Sequence, residues 1–234
     1  MRDYRNIDRY LDELLADIYV QPPDAGHTEM AREVIQNWFP QLLGIKTVLD
    51  VGCGQGFCQE IFEELGLEYT GITLGEDYQI AKANGKNVLR ADFTFMDTFP
   101  DDSFDVIFSR HSLEHSPMPL LTLMEFERVA KTYLCLVLPR PAYFTWAGRN
   151  HYSLMSASQA RFLLGRAGWT PIWEDFSDNR EFRFMCSKSY RVYGGFNDST
   201  LEYEEVEYAS SDEVRYIQPW GGCLEPILSG VEVG

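Results

Sequence analysis

An acid and three glycines stand close together in the segment 47–65, TVLDVGCGQGFCQEIFEEL. Asp50 closes an apolar run that is typical of a strand buried on both faces, and Gly52, Gly54 and Gly56 follow at alternate positions. Glycines allow the backbone to turn sharply and let a ligand approach main-chain atoms without meeting a Cβ. The segment therefore predicts a ligand site at the carboxyl end of a strand, with a carboxylate beside it.

The spacing of these glycines separates the ligands that such a turn can take. A dinucleotide-binding turn needs G-x-G-x-x-G, and its third glycine would fall at Phe57. A phosphate loop needs a lysine directly after its last glycine, and none follows Gly56. Because the carboxylate of Asp50 repels a pyrophosphate and attracts an ammonium group, we expect a ligand with a cationic amino group here.

The composition disfavours several classes of partner. The chain has 234 residues, of which 45% are hydrophobic, and a formal net charge of -16. One substantial core fits this length, and the acidic balance disfavours DNA, RNA and anionic membranes as partners. The amino-terminal stretch MRDYRNIDRYLDELL carries charge throughout, and no run of about 18 apolar residues occurs. Neither an export signal nor a membrane span is therefore expected.

The cysteines indicate a reducing compartment. No C-x-x-C pair occurs among the five cysteines, which are Cys53, Cys58, Cys135, Cys186 and Cys223. An odd number without paired spacing argues against a disulfide framework and against a zinc site. We therefore expect no bound metal and a cytoplasmic location.

Strand and helix patterns alternate along most of the chain. Two amphipathic helices precede the first strand, the second with Thr28 as its expected cap. Further helical patterns lie around 57–66, 76–84, 118–131 and 156–167. The last of them has a capping box, Ser156 and Gln159, and a stop signal, Gly168. Seven strands are predicted, at 47–52, 68–73, 87–92, 104–110, 132–138, 169–176 and 181–188. The alternation predicts a doubly wound α/β fold with a mostly parallel sheet and helices on both faces.

Three parts of the chain differ in composition. Residues 1–45 are predicted to form an N-terminal helical extension, and 46–189 hold the alternating pattern. Residues 190–234 are rich in acids, tyrosine, glycine and proline, without a sustained period. This last part is expected to be either a partly ordered acidic tail or an arm that closes over the site or over a neighbouring subunit. The second alternative leaves a homodimer open.

The glycine turn resembles the first motif of class I S-adenosylmethionine-dependent methyltransferases. In that family an apolar strand and an acid precede G-x-G-x-G, as in VLDVGCGQG. The similarity covers about 47–187 and implies a Rossmann-like fold with S-adenosyl-L-methionine as cofactor. It implies that the turn packs against the methionine part of the cofactor and that Asp50 interacts with its amino group, directly or through water. The turn residues implied as contacts are Gly52, Cys53, Gly54 and Gly56.

The end of the second strand departs from the family pattern. The family usually has an acid here that receives both ribose hydroxyls, whereas YTGITLGEDY has Thr73 at this position, followed by Leu74. A threonine hydroxyl can hydrogen-bond a ribose oxygen, although without the strength of a charged acceptor. Glu76 and Asp77 are alternatives, but acids are also common in the first turn of a helix for structural reasons.

The third and fourth strands end in residues that also match the family. Asp92 and Phe93, in LRADF, correspond to the acid that meets the adenine amino group and to an apolar ring contact. The segment SFDVIFSRHSLEH resembles the fourth-strand region of the small-molecule branch typified by ubiquinone-biosynthesis enzymes. Ser109 and Arg110 would then lie at the ligand-facing end of this strand and contact the cofactor.

Four side chains are candidates for removing a proton from a methyl acceptor. Transfer from a sulfonium depends mainly on near-attack positioning, but a hydroxyl or amine acceptor must also lose a proton. Histidine titrates near neutral pH and suits this role. The candidates, in order, are His115, His111, Glu114 and His151, and each could instead serve the local structure. The residues that could form an aromatic wall for the acceptor, or simply pack in the core, are Tyr10, Tyr19, Tyr143, Trp146 and Tyr152.

The leading hypothesis is an enzyme that methylates an O or N atom of a small organic molecule. The G-h-T-L form around Thr73 resembles the cyclopropane-fatty-acid-synthase branch of the same superfamily, so cyclopropane synthesis is the near alternative. A cofactor-binding or assembly protein without turnover is a second alternative. A nicotinamide dehydrogenase is disfavoured by Phe57. The acceptor is not encoded in these motifs, because loops that differ freely on one scaffold supply the substrate contacts.

Overall fold

The computed structural model describes residues 4–16, 18, 20–141 and 150–189. Its helices are α1 (Arg5–Leu15), α2 (Ala25–Trp38), α3 (Gln59–Glu64), α4 (Gly75–Ala83), α5 (Pro119–Val129) and α6 (Ala157–Ala167). Its strands are β1 (Thr47–Val51), β2 (Glu68–Thr73), β3 (Val88–Arg90), β4 (Phe104–Arg110), β5 (Ala130–Pro139), β6 (Trp169–Asp175) and β7 (Glu181–Lys188). Short 3₁₀ turns occupy Phe39–Gln41 and Leu113–His115.

The seven strands form one sheet in the order β3-β2-β1-β4-β5-β7-β6. β1 pairs in parallel with β2 on one side and with β4 on the other, and β7 runs antiparallel to both of its neighbours. The predicted doubly wound, mostly parallel, seven-stranded sheet is confirmed. The strand order reverses between β1 and β4, and in open α/β sheets ligands bind beside this reversal, at the carboxyl ends of the strands.

Helices cover both faces of the sheet, as predicted. On one face α5 and α6 pack on the sheet through apolar side chains such as Phe126 and Leu164. On the other face α2 and α3 do so through Ile35, Trp38 and Phe62. Because α2 shares a core with the strands, this part of the predicted N-terminal extension is built into the main fold. The division at residue 45 stays a prediction.

Helix ends test the capping signals directly. The capping box of α6 is confirmed, since Ser156 and Gln159 bond reciprocally, and Gly168 ends the helix with φ 95°. The prediction that Thr28 caps the second helix is wrong. Asp24 caps it by accepting a hydrogen bond from the N–H of His27 at 3.1 Å. An aspartate satisfies a first-turn N–H as well as threonine does, and it stands one turn earlier.

The predictions about membrane spans, cysteines, the acidic tail and the homodimer are tested only in part. Among the described residues, no helix is both long enough and apolar enough to cross a bilayer. Cys53, Cys58, Cys135 and Cys186 are free thiols. The acidic segment 190–234 and Cys223 lie outside the described residues. The homodimer stays an untested expectation.

Candidate functional site

A cavity of about 380 Å³ opens at the carboxyl ends of β1, β2 and β4, beside the reversal of strand order. Its volume is that of a typical small-molecule site. Helix α1 borders the cavity through Leu11, Leu14 and Leu15. The predicted site residues that line it are Asp50, Gly52, Cys53, Gly54, Thr73, Leu74, Asp92, Phe93, Arg110, His111, Glu114, His115 and His151. The fold thus gathers residues from across 100 positions of sequence into one crevice.

The turn after β1 needs glycine at two of these positions. Gly52 has φ +69°, and a Cβ on it would lie 2.8 Å from the Cβ of Ser112. Ser112 is held in place because its hydroxyl donates to the carbonyl oxygen of Val51 at 2.7 Å. Gly54 has φ +55°, a left-handed conformation that strains any other residue. The turn therefore borders the cavity with glycine at two positions where a side chain would be strained or would clash with Ser112.

Asp50 is buried at the base of this turn, with 3% of its surface exposed. Its carboxylate accepts a hydrogen bond from the hydroxyl of Tyr69 at 2.9 Å. Burial raises the pKa of Asp50 to about 7, although the Tyr69 hydrogen bond and the charge of Arg110 lower it. Among the described residues Asp50 has no ion-pair partner, and a buried carboxyl of this kind gains from a ligand that brings a cation, because the ligand offsets the cost of desolvation.

Tyr69 reaches Asp50 because of a glycine that the sequence analysis did not single out. Gly71 lies opposite Asp50 in the pairing of β1 with β2. A Cβ on Gly71 would lie 2.7 Å from the hydroxyl oxygen of Tyr69 and 2.6 Å from the Sγ of Cys53. The signal that could have revealed this arrangement is strand register, which brings Gly71 next to the acid.

Replacing Gly71 with alanine is expected to lower the free energy of unfolding by about 1 to 3 kcal/mol, as overpacking of a filled core does. Urea unfolding of the ligand-free protein measures this change. The matched control is Gly165→Ala in α6, where an added Cβ meets nothing within 4 Å. The control should raise stability by about 0.5 to 1 kcal/mol, because glycine is a poor helix former. A Gly71→Ala protein as stable as the wild type would show that the Tyr69 pocket has room to spare.

Two predicted contact residues do not line the cavity. Gly56 packs away from it, and a Cβ there would lie 3.3 Å from side-chain atoms of Lys86 and Val88. Gly56 also has φ +78°, so backbone conformation and packing explain why this position is a glycine. Ser109 is fully buried within β4, and no described residue forms a hydrogen bond with its hydroxyl. Strand alternation points the Ser109 side chain into the core, and contact of either residue with a cofactor stays a prediction.

Thr73 and Leu74 border the cavity where β2 passes into α4, as the sequence predicted. Asp92 and Phe93 border it from the loop after β3. β3 is shorter than predicted and ends at Arg90, so Asp92 follows the strand instead of closing it. One carboxylate oxygen of Asp92 accepts a hydrogen bond from the N–H of Thr94 at 2.8 Å, which fixes the direction of the loop.

Asp77 connects the segment before α2 to the glycine turn. Its two carboxylate oxygens accept hydrogen bonds from the N–H of Gln21 and from the side-chain amide of Gln55, each at 3.0 Å. The same amide donates to the carbonyl oxygen of Gln21 at 2.9 Å. Asp77 is therefore engaged within the protein, and Glu76 is exposed and does not border the cavity. Neither residue is suited to replace the ribose-binding acid that the family usually has at the position of Thr73.

His111 belongs to a buried ionic cluster at the end of β4. Its Nε2 lies 3.2 Å from Glu181, which also accepts a hydrogen bond from Arg110 at 3.1 Å and one from Arg183 at 2.8 Å. Burial lowers the pKa of His111 to about 4, although Glu181 raises it. Burial raises the pKa of Glu181, but His111 and the two arginines outweigh this and lower it to about 2. His111 therefore interacts with Glu181 inside the protein. Its backbone has φ +49°, and its ring lies 5.3 Å from the ring of His27.

Glu114, His115 and His151 form a second group at the wall of the cavity. The rings of His115 and His151 lie 4.7 Å apart, and His115 Nδ1 lies 3.1 Å from the carbonyl oxygen of Asn150. Burial raises the pKa of Glu114 to about 8. Burial, followed by the effect of His151, lowers the pKa of His115 to about 4. The three side chains can accept a proton or bind a cation, although His151 lies 37 positions after Glu114 in the sequence.

The predicted aromatic wall is tested in part. Tyr152 borders the cavity, whereas Tyr10 is about half exposed on α1 and does not border it. Tyr19, Tyr143 and Trp146 lie outside the described residues. An aromatic contact to an acceptor is therefore retained for Tyr152.

The sheet order, the crevice at its reversal point and the glycine turn beside an acid define a Rossmann-like, ligand-binding α/β domain. A family model described as a methyltransferase domain matches residues 49–133, from β1 into β5. Over this region, which is about a third of the chain, the protein is similar to methyltransferase domains. This confirms the resemblance read from the first motif.

Curated relatives are similar to about half of the chain or less. Cycloartenol-C-24-methyltransferase 1 of Oryza sativa subsp. japonica is 32% identical over 133 residues, covering 51% of this chain and 37% of the relative. A ubiquinone biosynthesis O-methyltransferase of Pseudomonas paraeruginosa is 31% identical over 104 residues, covering 41% and 45%. The aligned region thus spans less than half the length of either relative.

Solved structures share the fold at low sequence identity. A SAM dependent methyltransferase from Archaeoglobus fulgidus aligns with a TM-score of 0.58 and 17% identity, covering 69% of this chain and 94% of its own. Magnesium protoporphyrin IX methyltransferase from Synechocystis PCC 6803, solved with bound SAH, aligns with a TM-score of 0.57 and 16% identity, covering 80% and 98%. These similarities establish the architecture of the domain.

Proposed function

We propose that this protein binds S-adenosylmethionine in the crevice beside β1 and transfers its methyl group to an O or N atom of a small organic molecule. The observation that carries the proposal is the buried carboxyl of Asp50 beside a turn that borders the cavity and has glycine at positions 52 and 54. This pairing suits an α-amino group and disfavours a phosphate. The family assignment of residues 49–133 supports the same cofactor.

Each part of the crevice has a proposed partner in the cofactor. Asp50 accepts from the ammonium group, and the backbone at Gly52 and Gly54 receives the amino-acid moiety. Thr73 donates to or accepts from a ribose hydroxyl, and Leu74 packs beside it. At the adenine end the proposed contacts are Asp92 for the amino group and Phe93 for the ring face.

The acceptor is proposed to lie at the end of the cavity formed by Glu114, His115 and His151. S-adenosylmethionine supplies a methyl group on a sulfonium centre, whose leaving group is a neutral thioether. The residues of this chain then hold the acceptor, exclude water and take the proton that a hydroxyl or amine loses. His111, which Glu181 occupies, is proposed to position the loop after β4 instead of acting as the base.

Methylation at carbon is the second candidate. Three of the matched relatives are named as sterol or cycloartenol C-24 methyltransferases, and apolar leucines of α1 border the cavity. Cyclopropane synthesis also remains a candidate reaction, because Thr73 resembles the threonine of cyclopropane synthases. Mass analysis of products formed from methyl-labelled cofactor distinguishes these reactions, since O- and N-methyl groups and new carbon–carbon bonds fragment differently.

Calorimetric titration with S-adenosylhomocysteine tests the proposal, followed by transfer of labelled methyl to a panel of phenols, catechols, aromatic amines and sterols. Binding with a labelled O- or N-methyl product supports it. Absence of binding overturns it. Tight binding without transfer to any member of the panel would favour a cofactor-binding or assembly protein.

A further inference from the structure

Glu114, His115 and His151 approach one another closely enough to share a metal ion. Each offers one ligand atom, and these atoms all lie within 4.8 Å of one another. Ligand atoms at about 2 Å from a bound ion lie at most about 4 Å apart. Side-chain rotations that bring the atoms closer by about 1 Å therefore suffice to close the site. All three residues border the cavity.

One oxygen of the buried Glu114 carboxyl group is without a hydrogen-bond partner among the described residues. Glu114 is 1% exposed, and this oxygen is its Oε2 atom. Burying an oxygen in this way costs free energy, and buried polar atoms in proteins are nearly always satisfied. A cation bound between Glu114 and the two imidazoles would supply the missing partner.

The histidine side of the group is already oriented. Because a carbonyl oxygen only accepts, the contact with Asn150 assigns the proton of His115 to Nδ1 and leaves Nε2 as its ligand atom. Metal-binding histidines commonly donate their second nitrogen in this way. The segment that carries His151 is tied to the same turn, since the N–H of Ser153 donates to the Glu114 carbonyl oxygen at 2.9 Å.

We propose that Glu114, His115 and His151 form a binding site for a divalent transition-metal ion, with Zn²⁺ as the probe ion, at the wall of the cavity. Two imidazoles and one carboxylate are the donor set of open zinc sites and of facial-triad iron sites, which keep further positions for water or substrate. Those positions would face the cavity, because its wall is built from the same three residues. The high negative charge of the chain, -16, favours cation binding in general.

If the protein has the proposed function, a metal ion at this site also restricts which methyl acceptors it can use. A divalent ion lowers the pKa of a coordinated hydroxyl group and orients it. The acceptor then carries an oxygen that can coordinate the ion, such as a phenol or catechol, in preference to a sterol alkene. The metal site itself does not depend on this assignment.

Equilibrium dialysis of chelator-treated full-length protein against Zn²⁺, with metal content measured by mass spectrometry, tests the site. Co²⁺ provides a second readout through its visible absorption, which reports nitrogen and oxygen ligands. The wild type should bind one ion per chain. Glu114→Gln and His151→Gln should each weaken binding by at least about 100-fold, the upper range for loss of an outer-shell partner.

The matched control is His27→Gln. His27 also borders the cavity but does not belong to the group of three, so this variant should bind Zn²⁺ as the wild type does. The proposal is overturned if the wild type binds no ion, or if Glu114→Gln binds as tightly as the wild type while remaining folded by circular dichroism. Binding of S-adenosylhomocysteine, measured in parallel, separates the two proposals. Cofactor binding without Zn²⁺ removes only the metal site, and Zn²⁺ binding without cofactor removes only the proposed function.

Discussion

Replacing Asp50 with asparagine is expected to weaken binding of S-adenosylhomocysteine by about 10- to 100-fold, the worth of a hydrogen bond to a charged group. Asparagine keeps the size of the side chain and can still accept the hydrogen bond from Tyr69, which is 2.9 Å long in the wild type. The variant removes the charge that the ammonium group of the ligand needs. Calorimetric titration at pH 8 measures the difference.

The same variant should show a characteristic dependence on pH. Burial raises the pKa of Asp50 to about 7, above its value of about 4 in the unfolded chain. The folded protein therefore holds a proton on Asp50 that the unfolded chain has lost, and the free energy of unfolding falls as pH rises from about 4 to about 7. Asp50→Asn removes this loss. A difference of about 3 pKa units corresponds to at most about 4 kcal/mol, so the melting temperature of the variant should exceed that of the ligand-free wild type by several degrees at pH 8, and should not at pH 4.

The affinity of the wild type for the ligand should rise with pH over the range in which its free energy of unfolding falls. Binding an ammonium group requires ionised Asp50, so wild-type affinity should fall about tenfold per pH unit below pH 7, whereas Asp50→Asn should be nearly independent of pH in this range. The matched control is Glu76→Gln, an acid in α4 that does not border the cavity. Equal affinities of Asp50→Asn and wild type at pH 8 would contradict the assignment of the amino-acid subsite.

Replacing Glu114 with glutamine is expected to lower the rate of methyl transfer by about 100-fold or more, in the range that loss of general acid–base catalysis gives. Glutamine keeps the shape but can neither take a proton nor balance a cation. The affinity for S-adenosylhomocysteine should stay within about twofold, because Glu114 is assigned to the acceptor and not to the cofactor. The assay uses the phenol or catechol that the wild type methylates best, with and without added Zn²⁺.

Measuring kcat and cofactor affinity separately distinguishes a role of Glu114 in the chemical step from a structural role. A fall in kcat with unchanged cofactor affinity supports a role in the chemical step, whereas weaker cofactor binding would indicate a disturbed loop. Glu76→Gln again serves as the control, with transfer expected at the wild-type rate. Wild-type transfer by Glu114→Gln at saturating acceptor would place the acceptor elsewhere in the cavity.

The fold was predictable from the sequence to a large extent. The strands 68–73, 104–110 and 181–188 were predicted with the bounds that the structure has, because alternating and apolar runs between turn residues carry a strong local signal. The capping box at Ser156 was equally local. Thr28 was misjudged as a cap because both Asp24 and Thr28 precede the same apolar stripe, and local chemistry does not choose between them.

The site was predictable where it depends on residues next to one another in the chain. Asp50, Gly52 and Gly54 were found from spacing alone, because a turn that exposes its backbone needs glycine within a few residues of the strand end. Gly56 and Ser109 were assigned to the cofactor because they share motifs with true cavity residues. Neither motif shows whether a residue faces the cavity or the interior, and in the structure Gly56 lies beside Val88 and Ser109 is buried in the core.

The sequence by itself determined the order of strands and helices, the acid and the glycine turn, since each depends on neighbouring residues and on backbone geometry. Only the tertiary structure decided what surrounds them. It brought Tyr69 and Gly71 against Asp50, engaged Asp77 with Gln21, and joined His151 to Glu114 across 37 positions. Strand register and loop return set these contacts, and they arise from burying the whole core at once, which no short stretch of sequence encodes.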